Sequence, residues 1–217
     1  MPAYDLIVFD WDGTLMDSTG LIASCLQCAC RDIGIEVPTD EAARFVIGLG
    51  LADTLGHVAP GLDSQRQAQL IDRYRHHFLD REAEAPLYEG IRELLTDLNG
   101  RGRRLAVATG KARRGLERAL EKTGLKPLFE ATRCGDEGFT KPHPDMLLKL
   151  LELTGVEPRR AVMVGDTTHD LELAANAGVD AVAVLYGAHH TELLDTRAAV
   201  ARCGSVAELR RWLNENA

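Results

Sequence analysis

The stretch that most constrains the fold of this chain is a short apolar run near its N-terminus that ends in two aspartates. Residues 6–9 (LIVF) contain no polar side chain, which is typical of a strand buried on both faces of a parallel sheet. Asp10 and Asp12 follow, and because side chains alternate along an extended chain, both point the same way from the strand's carboxyl end. Gly13 permits a sharp turn there, and Thr14 offers a hydroxyl and an N–H group to an anion.

The two carboxylates indicate a chemistry as well as a fold. Like charges held this close repel each other, and a hard, oxygen-seeking cation such as Mg2+ is the simplest compensation. The pair suits phosphoryl transfer, in which one carboxylate attacks phosphorus and forms an acyl phosphate. The other carboxylate protonates the leaving oxygen and later takes a proton from water.

The composition is that of an ordinary globular protein, with 45% hydrophobic and 27% charged residues among 217. A net charge of −8 predicts that nucleic acid is not a partner, because binding a phosphate backbone needs a basic surface. No apolar run is long enough to span a bilayer and no signal peptide is evident, so we expect no membrane partner and a cytoplasmic location. Five cysteines make no disulfide framework in a chain this long. We expect the cluster Cys25, Cys28, Cys30 to be buried thiols rather than a metal site.

Apolar runs alternate with helical spacing along the rest of the chain. Further strands are predicted at residues 105–108, 129–133, 161–164 and 180–185. Helices are predicted from 17 to about 33, from 39 onwards, and at 63–84, 91–99, 112–122, 145–153, 171–177 and 206–213. Strands that alternate with helices favour a doubly wound α/β fold, with a parallel sheet and right-handed crossovers.

The long helical stretch between the first two strands is predicted to form a separate domain. Residues 16–87 show helices and no convincing strand, whereas residues 1–15 and 88–217 carry the alternating pattern of the core. The insertion leaves the core just after the first strand. We therefore expect a small, all-helical cap over that strand's carboxyl end, where ligands bind in open α/β sheets.

Polar residues follow two further strands at the same edge of the predicted sheet. Thr109 and Gly110 come directly after a strand and are predicted to begin a helix whose N–H groups hold a phosphate oxygen. Helix capping alone would also explain Thr109. Lys141 lies in a Lys-Pro-His-Pro stretch whose prolines restrict the backbone, so its ammonium group would have a defined direction towards a nucleophile and a phosphoryl group. A lysine in a loop is otherwise ordinarily solvated.

Gly165-Asp166-Thr167-Thr168-His169-Asp170 is the strongest of these polar clusters. Asp166 would complete an oxygen-rich Mg2+ site beside Asp10. Asp170 would bind the ion through water or hold Asp166 and Lys141 in place. An acidic turn that caps a helix is the alternative for these residue types.

Taken in order, Asp-x-Asp-Gly-Thr, Thr-Gly, Lys-Pro and Gly-Asp-x-x-x-Asp resemble the four motifs of the haloacid dehalogenase superfamily, over essentially the whole chain. The insertion resembles the small helical cap of the phosphoglycolate phosphatase-like branch. The resemblance implies a Rossmann-like core, with Asp10 as nucleophile and Asp12 as general acid/base. It implies three overlapping sets of site residues: catalytic Asp10, Asp12, Thr109 and Lys141; phosphate-binding Thr14, Thr109, Gly110 and Lys141; and Mg2+-binding Asp10, Asp12 (through its carbonyl), Asp166 and Asp170.

Other reactions of that superfamily can be weighed on the same residues. Haloacid dehalogenases have no carboxylate two positions after the nucleophile and need no metal, so Asp12 and Asp166 argue against dehalogenation. Phosphonoacetaldehyde hydrolases use a cap lysine, and residues 16–88 contain no lysine. A sugar-phosphate mutase of the β-phosphoglucomutase type stays open, because it uses the same carboxylates and differs in how well the cap excludes water.

The sequence therefore predicts a Mg2+-dependent phosphatase acting on a small phosphorylated metabolite, with phosphoglycolate as one candidate substrate. A non-catalytic phosphate-binding protein is the alternative from another class, and the intact motif residues argue against it. Five basic cap residues could meet an anionic substrate, although a solvated helix face is the favoured explanation for each one: Arg44, Arg73, Arg75, His76 and His77. No oligomeric state follows from the sequence.

Overall fold

The computed structural model describes residues 4–217, which contain one six-stranded sheet. The strands are β1 (Leu6–Phe9), β2 (Arg104–Thr109), β3 (Ala131–Cys134), β4 (Ala161–Gly165), β5 (Asp180–Val184) and β6 (Ala201–Cys203). Every adjacent pair is parallel, and the order across the sheet is β3-β2-β1-β4-β5-β6. This is the doubly wound order, with the winding reversing beside β1, so the predicted fold class is confirmed.

Helices connect the strands and fill the insertion. They are α1 (Thr19–Asp32), α2 (Asp40–Phe45), α3 (Leu51–Val58), α4 (Ser64–Arg81), α5 (Ile91–Gly100), α6 (Arg113–Thr123), α7 (Asp145–Thr154), α8 (Thr168–Ala177), α9 (Thr191–Leu194) and α10 (Val206–Asn216). Short 3-10 turns lie at Glu82–Glu84, Lys126–Leu128 and Pro158–Arg160. Between residues 4 and 217, a helix with the length and hydropathy needed to cross a bilayer is not found.

The side chains of β1 show how the sheet is covered on both faces. Leu6 and Val8 belong to one hydrophobic cluster, and Ile7 and Phe9 belong to another, as the alternation of side chains along a strand requires. Helices α7 and α8 supply the first cluster, whereas α5, α6 and α10 supply the second. Because all four side chains are fully buried, β1 is the centre of the core.

The structure corrects the predicted elements around two of the motifs. Thr109 is the last residue of β2 and pairs in register with Cys134, and α6 begins only at Arg113. The prediction that Thr109 begins a helix is therefore wrong, because pairing with β3 carries the strand through it. Helix α8 begins earlier than predicted because Thr167 and Asp170 form a capping box at its N-terminus.

Strand β6 was not predicted from the sequence. Its three residues are Ala-Arg-Cys, a pattern too short and too polar to distinguish from a loop. It pairs with β5 at the edge of the sheet, where only one neighbour is needed. Helix α3 is likewise absent from the predicted elements, because the glycines before it indicate an interruption rather than a helix start.

The five cysteines are free thiols. Cys25 and Cys30 are buried, as predicted, and Cys28 is half-buried. Burial raises the pKa of the Cys25 thiol to about 11, which keeps it protonated near neutral pH.

Helices α1 to α4 lie between β1 and β2 and have a hydrophobic cluster of their own. Leu26, Ala43, Leu55 and Leu70 belong to it. Phe78 of α4 belongs instead to the cluster on one face of the sheet, so the insertion also packs directly on the core.

The chain enters and leaves the insertion side by side. Tyr88 N–H donates to the Leu15 carbonyl at 3.0 Å, and Asp17 N–H donates to the Pro86 carbonyl at 2.9 Å. These paired crossing segments coincide with the predicted boundary at residues 16–87. That the insertion behaves as a separate domain stays a prediction.

Packing within the insertion can be tested with two leucines of the same helix. Leu70 is fully buried, whereas Leu79 is half exposed. We expect Leu70→Ala to lower the free energy of unfolding by about 2–5 kcal/mol, because it removes buried methyl groups and leaves a cavity. Leu79→Ala is the matched control and should change it by no more than about 0.5 kcal/mol. Urea unfolding followed by circular dichroism measures both, and equal effects would contradict a packed cluster around Leu70.

Candidate active site

The predicted motif residues meet at the carboxyl edge of the three central strands. Asp10 follows β1, Thr109 ends β2 and Asp166 follows β4. Because β1 lies between β2 and β4, these three residues are neighbours although they are far apart in sequence. Each is almost completely buried.

Lys141 lies at the centre of this group. Its Nζ lies 2.6 Å from Asp10 Oδ1 and 2.6 Å from Asp170 Oδ1, and all three side chains are buried. The other oxygen of Asp170 accepts hydrogen bonds from the backbone N–H and the hydroxyl of Thr167, at 3.0 and 2.7 Å. Asp170 thus caps α8 and positions Lys141 at the same time. The sequence predicts helix capping and the holding of Lys141 as alternatives, and Asp170 makes both contacts.

Asp166 is held by hydrogen bonds to both of its oxygens. Thr14 Oγ1 donates to Oδ1 at 2.7 Å, and Ala188 N–H donates to Oδ2 at 2.7 Å. Gly13, at φ +88°, makes this approach possible, because a Cβ at that position would lie 2.2 Å from Asp166 Oδ2. The turn after β1 therefore requires glycine. The phosphate-binding role predicted for Thr14 stays a prediction, since its hydroxyl already donates to Asp166.

Three carboxylates converge here with the chemistry of a metal site. Oxygen atoms of Asp10, Asp166 and Asp170 all lie within 4.8 Å of one another. Asp10 Oδ2 is buried, and no donor from residues 4–217 lies within hydrogen-bonding distance of it. A buried carboxylate oxygen without a partner is costly, and a hard divalent cation is a fitting partner for it. The residues present therefore fit Mg2+.

The pKa values of the site reflect burial first and the neighbouring charges second. Burial raises the pKa of Asp10, and the Lys141 charge offsets this only in part because Asp170 adds negative charge. Burial raises the pKa of Asp166 well above its usual range, and the charges of Asp10 and Asp170 add to it. Burial alone would lower the pKa of Lys141, but the two aspartates it contacts raise it. A simple ion pair would lower the carboxylate pKa, so the upward shift at Asp10 means that burial outweighs the Lys141 charge.

Asp12 lies on the other side of the site and contacts different partners. Ser18 Oγ donates to Asp12 Oδ1 at 2.7 Å, and Lys111 Nζ lies 2.9 Å from Asp12 Oδ2. The three carboxylates that converge are those of Asp10, Asp166 and Asp170, and metal binding through the Asp12 carbonyl stays a prediction.

The loop between α2 and α3, residues 46–50, closes over the turn that follows β2. A Cβ at Gly110 would lie 2.4 Å from the Gly48 carbonyl oxygen and 2.5 Å from that of Leu49. A Cβ at Gly50 would lie 2.3 Å from Thr140 Cγ2, beside Lys141. At Gly110 backbone meets backbone, so that contact cannot be relieved by moving a flexible side chain, whereas the neighbour of Gly50 is the Thr140 side chain.

Phe45, at the end of α2, joins the insertion to the core through two histidines. Its carbonyl oxygen lies 2.8 Å from His169 Nε2 and 3.0 Å from His189 Nε2. Its ring stacks on His189, with centroids 5.2 Å apart, and meets His169 edge-on at 5.3 Å. His189 Nδ1 accepts the Thr168 N–H at 3.1 Å, so the proton of that imidazole is on Nε2 and is donated to Phe45. Burial lowers the pKa of both imidazoles, which favours their neutral forms.

Several residues near the site were not assigned a role from the sequence. They are Ser18, Phe45, Phe78, Lys111, His169 and His189. His169 stands inside a quoted motif and Lys111 follows one directly, but no periodicity indicates that their side chains face the insertion or Asp12. His189 follows β5, and its contact with Phe45 spans 144 residues. Local patterns cannot show such a contact.

Most of the basic residues of the insertion lie beside acids on the surface. Arg44 pairs with Asp40, and His77 pairs with Asp32. The pairs Arg73–Asp72 and His76–Asp80 are of the same kind. A solvated helix face is therefore sufficient to explain these four residues.

Comparisons with known proteins find similarity along most of the chain. A model of the family described as haloacid dehalogenase-like hydrolase matches residues 7–184. Probable phosphatase IndB of Dickeya dadantii is 35% identical over 194 residues, which cover 87% of this chain and 84% of that protein. Tyrosine-protein kinase PtkA of Mycobacterium tuberculosis is 35% identical over 212 residues, covering 96% of this chain and 72% of that protein.

A phosphatase sequence and a crystal structure are also similar to this chain. The phosphoglycolate phosphatase of Aquifex aeolicus is 32% identical over 184 residues, which cover 84% of this chain and 85% of that protein. The crystal structure of a predicted phosphatase from Clostridium acetobutylicum superimposes with a TM-score of 0.86 at 27% identity, covering 98% of this chain and 99% of that one.

The close approach at Gly110 generates a prediction. Gly110→Ala places a methyl group against two carbonyl oxygens of the loop at 46–50, and we expect it to displace that loop and cost about 1–3 kcal/mol of stability. Hydrogen–deuterium exchange read by mass spectrometry should show faster exchange in peptides spanning residues 46–50, with the peptides of β1 and β4 unchanged. Gly100→Ala is the control, since no atom lies within 4 Å of its Cβ position. Unchanged exchange in the Gly110 variant would contradict the contact.

Proposed function

The chain belongs to the haloacid dehalogenase-like hydrolases and is a phosphatase of that family, and we propose that it hydrolyses a small phosphorylated metabolite, with Mg2+, through an aspartyl phosphate on Asp10. The observation that carries this proposal is the state of the Asp10 carboxylate. One oxygen accepts a charged hydrogen bond from Lys141, while the other is buried without a donor from the described residues. A carboxylate held in this way is oriented and short of one cation, as a nucleophile for a phosphate ester needs to be.

The metal would be held by the side chains of Asp10 and Asp166 and by the carbonyl of Asp12. Asp170 lies within the same group of carboxylates and would bind the ion through water, while its own hydrogen bonds position Lys141. When bound, Mg2+ would offset the charge of these carboxylates and of the phosphoryl oxygens.

Four residues line the place of the phosphoryl group in this proposal: Thr14, Thr109, Gly110 and Lys141. The Lys141 ammonium stabilises the charge that develops on the phosphoryl oxygens, an electrostatic effect that is large in a site closed to water. The Thr109 hydroxyl accepts the Lys111 N–H at 3.2 Å, which leaves its own proton for a phosphoryl oxygen.

The reaction has two steps. A carboxylate oxygen of Asp10 attacks phosphorus, the bond from phosphorus to the leaving oxygen breaks, and Asp12 gives that oxygen a proton. Asp12 then takes a proton from water, whose oxygen attacks the phosphorus of the acyl phosphate. Inorganic phosphate leaves, and Asp10 returns to a carboxylate.

We further propose that residues 16–87 act as a cap that opens to admit substrate and release product. The paired segments at its base provide two crossing points at which such a movement could occur. The contacts of Phe45 and of the loop at 46–50 hold the insertion against the core in the present arrangement. A closed site excludes water other than the attacking molecule and strengthens every charge interaction inside it.

The names of the relatives guide the choice of substrates. Phosphoglycolate is a candidate because the Aquifex aeolicus relative is named for that activity. A sugar-phosphate mutase and transfer to a protein side chain, as the name of the mycobacterial relative describes, are the competing outcomes of the same aspartyl phosphate. We place the activity in the cytoplasm, because free cysteines suit a reducing compartment.

The nucleophile is tested by Asp10→Asn. We expect phosphate release from a panel of small phosphomonoesters to fall by about 10³-fold or more, because an amide does not form the acyl phosphate. Asp72→Asn, on the exposed face of α4, is the control and should keep full activity. Release by wild type that exceeds the Asp10→Asn blank supports hydrolysis. Sugar-phosphate isomers without free phosphate would favour the mutase, and labelled protein without free phosphate would favour transfer to a side chain.

The metal is tested by its removal and by thermal unfolding. EDTA should abolish phosphate release reversibly, and Mg2+ should raise the Tm of the wild-type protein because it binds the folded state. The rise in Tm should be lost in Asp166→Asn, since that variant lacks one carboxylate of the group. Full activity in EDTA would overturn the role of the metal.

A further inference from the structure

Lys111 forms an ion pair that the proposed mechanism does not use. Its Nζ lies 2.9 Å from Asp12 Oδ2, and the two side chains are only 11% and 10% exposed. Surface ion pairs contribute little and are common, but a pair this sheltered beside a reacting carboxylate has a defined geometry. Lys111 follows Thr109 and Gly110 directly, and its ammonium group pairs with Asp12, whereas Asp10 pairs with Lys141.

The fold holds Lys111 on this side of the site. Its backbone N–H donates to Thr109 Oγ1 at 3.2 Å, and its carbonyl accepts the Gly135 N–H at 3.0 Å. Its aliphatic chain runs along Gly115 of α6, where a Cβ would lie 3.1 Å from Lys111 Cγ. With the backbone bonded at both ends and the chain packed on a helix, the ammonium group has little freedom to lie elsewhere.

The ammonium group lies between Asp12 and the insertion. Nζ is 4.8 Å from the centre of the Phe78 ring of α4, a distance at which a cation is attracted to the ring face. The phosphoryl end of the site is defined by Asp10 and Lys141. The leaving group must then extend past Asp12, which protonates it, towards the insertion. That direction brings it to Lys111.

The charges around Asp12 single out this lysine. Among residues 4–217, the side chains that form ion pairs with Asp10, Asp12, Asp166 or Asp170 are Lys111 and Lys141. Two arginines of the insertion, Arg44 and Arg81, are paired with Asp40 and Glu84. Lys141 serves the phosphoryl end, so Lys111 is the cation placed for the leaving group.

We propose that Lys111 is a specificity-determining residue, which binds a negative charge on the leaving group and so selects substrates with an anionic leaving group over those with a neutral one. This inference rests on the proposed function, because it assigns the leaving-group side from the roles of Asp10 and Asp12. The Lys111 ammonium group has three N–H donors, and a carboxylate or phosphate on the leaving group accepts a hydrogen bond from one of them. A neutral alcohol of the same size offers no charge, so the ammonium stays with Asp12.

The test compares two substrates that differ only at this position. Phosphoglycolate carries a carboxylate where 2-hydroxyethyl phosphate carries a neutral hydroxymethyl group. For wild type we expect kcat/KM for phosphoglycolate to be about 30-fold higher or more, the range expected for a sheltered charge pair. Lys111→Met should remove that preference: both substrates lose the pairing of Lys111 with Asp12, but kcat/KM for phosphoglycolate should fall by about 10-fold or more beyond the fall for 2-hydroxyethyl phosphate. Lys111→Arg should keep most of the preference.

The controls distinguish selection of an anionic leaving group by Lys111 from a role in positioning Asp12. Lys126→Met removes an exposed lysine between α6 and β3, and kcat/KM for both substrates should stay unchanged. An equal loss for both substrates in Lys111→Met would mean that Lys111 only positions Asp12, which overturns the proposal. A wild type that does not prefer phosphoglycolate overturns it as well. The Tm of each variant confirms that it folds.

Binding of stable analogues separates this inference from the proposed function. Isothermal titration calorimetry in the presence of Mg2+ compares the affinities of two analogues. The first, 3-phosphonopropionate, carries a carboxylate, and the second, 3-hydroxypropylphosphonate, does not. Wild type should bind the first about 10-fold more tightly or better, and Lys111→Met should bind the two alike. This result would support the role of Lys111 even if no turnover were found. Equal binding of the two analogues by wild type overturns it, whatever the activity.

Discussion

The structure depends on one buried ammonium group that two carboxylates share. Lys141 Nζ bonds Asp10 and Asp170 at 2.6 Å each, with all three side chains removed from water. Burying ions carries a large desolvation cost unless hydrogen bonds and opposite charges compensate it. Asp10 and Lys141 are 131 residues apart in sequence, so this contact holds β1, the loop before α7 and the start of α8 in one arrangement. The capping box of α8 fixes the third member, because the oxygen of Asp170 that faces away from Lys141 bonds Thr167.

The excess of carboxylates over lysine at this point ties stability to function. Burial and mutual repulsion raise the pKa of Asp10 and of Asp166, and a cation at the site relieves both effects. The apolar surroundings make this excess costly, and the packing of the sheet holds the charged groups in place despite that cost. Every side chain of β1 is fully buried, and Gly13 lets Asp166 approach closely. The charged groups are therefore oriented before the reaction, without the reorganisation that flexible groups in water would need.

The insertion contacts the core beside the site, and these contacts are of different chemical kinds. Backbone meets backbone where the loop at 46–50 lies on Gly110, and one carbonyl of Phe45 accepts from two neutral imidazoles. Phe78 adds an apolar surface beside the Lys111 ammonium. In our proposals the two lysines then serve opposite ends of one substrate. Lys141 stabilises the phosphoryl group, and Lys111 recognises what leaves.

The sequence by itself determined the order of the elements, the four motifs and the alternation that buries β1 on both faces, because these are set by local periodicity and turn chemistry. It was sufficient to predict Asp10, Asp166, Asp170 and Lys141 as one site, since carboxyl ends of parallel strands share an edge. It did not show that Thr109 continues β2 or that residues 201–203 form an edge strand, because strand pairing depends on a partner far along the chain. Only the tertiary structure decided that Lys111 faces Asp12, and which histidines meet Phe45. Those contacts depend on how packed layers orient long side chains, a property that no local pattern of residues carries.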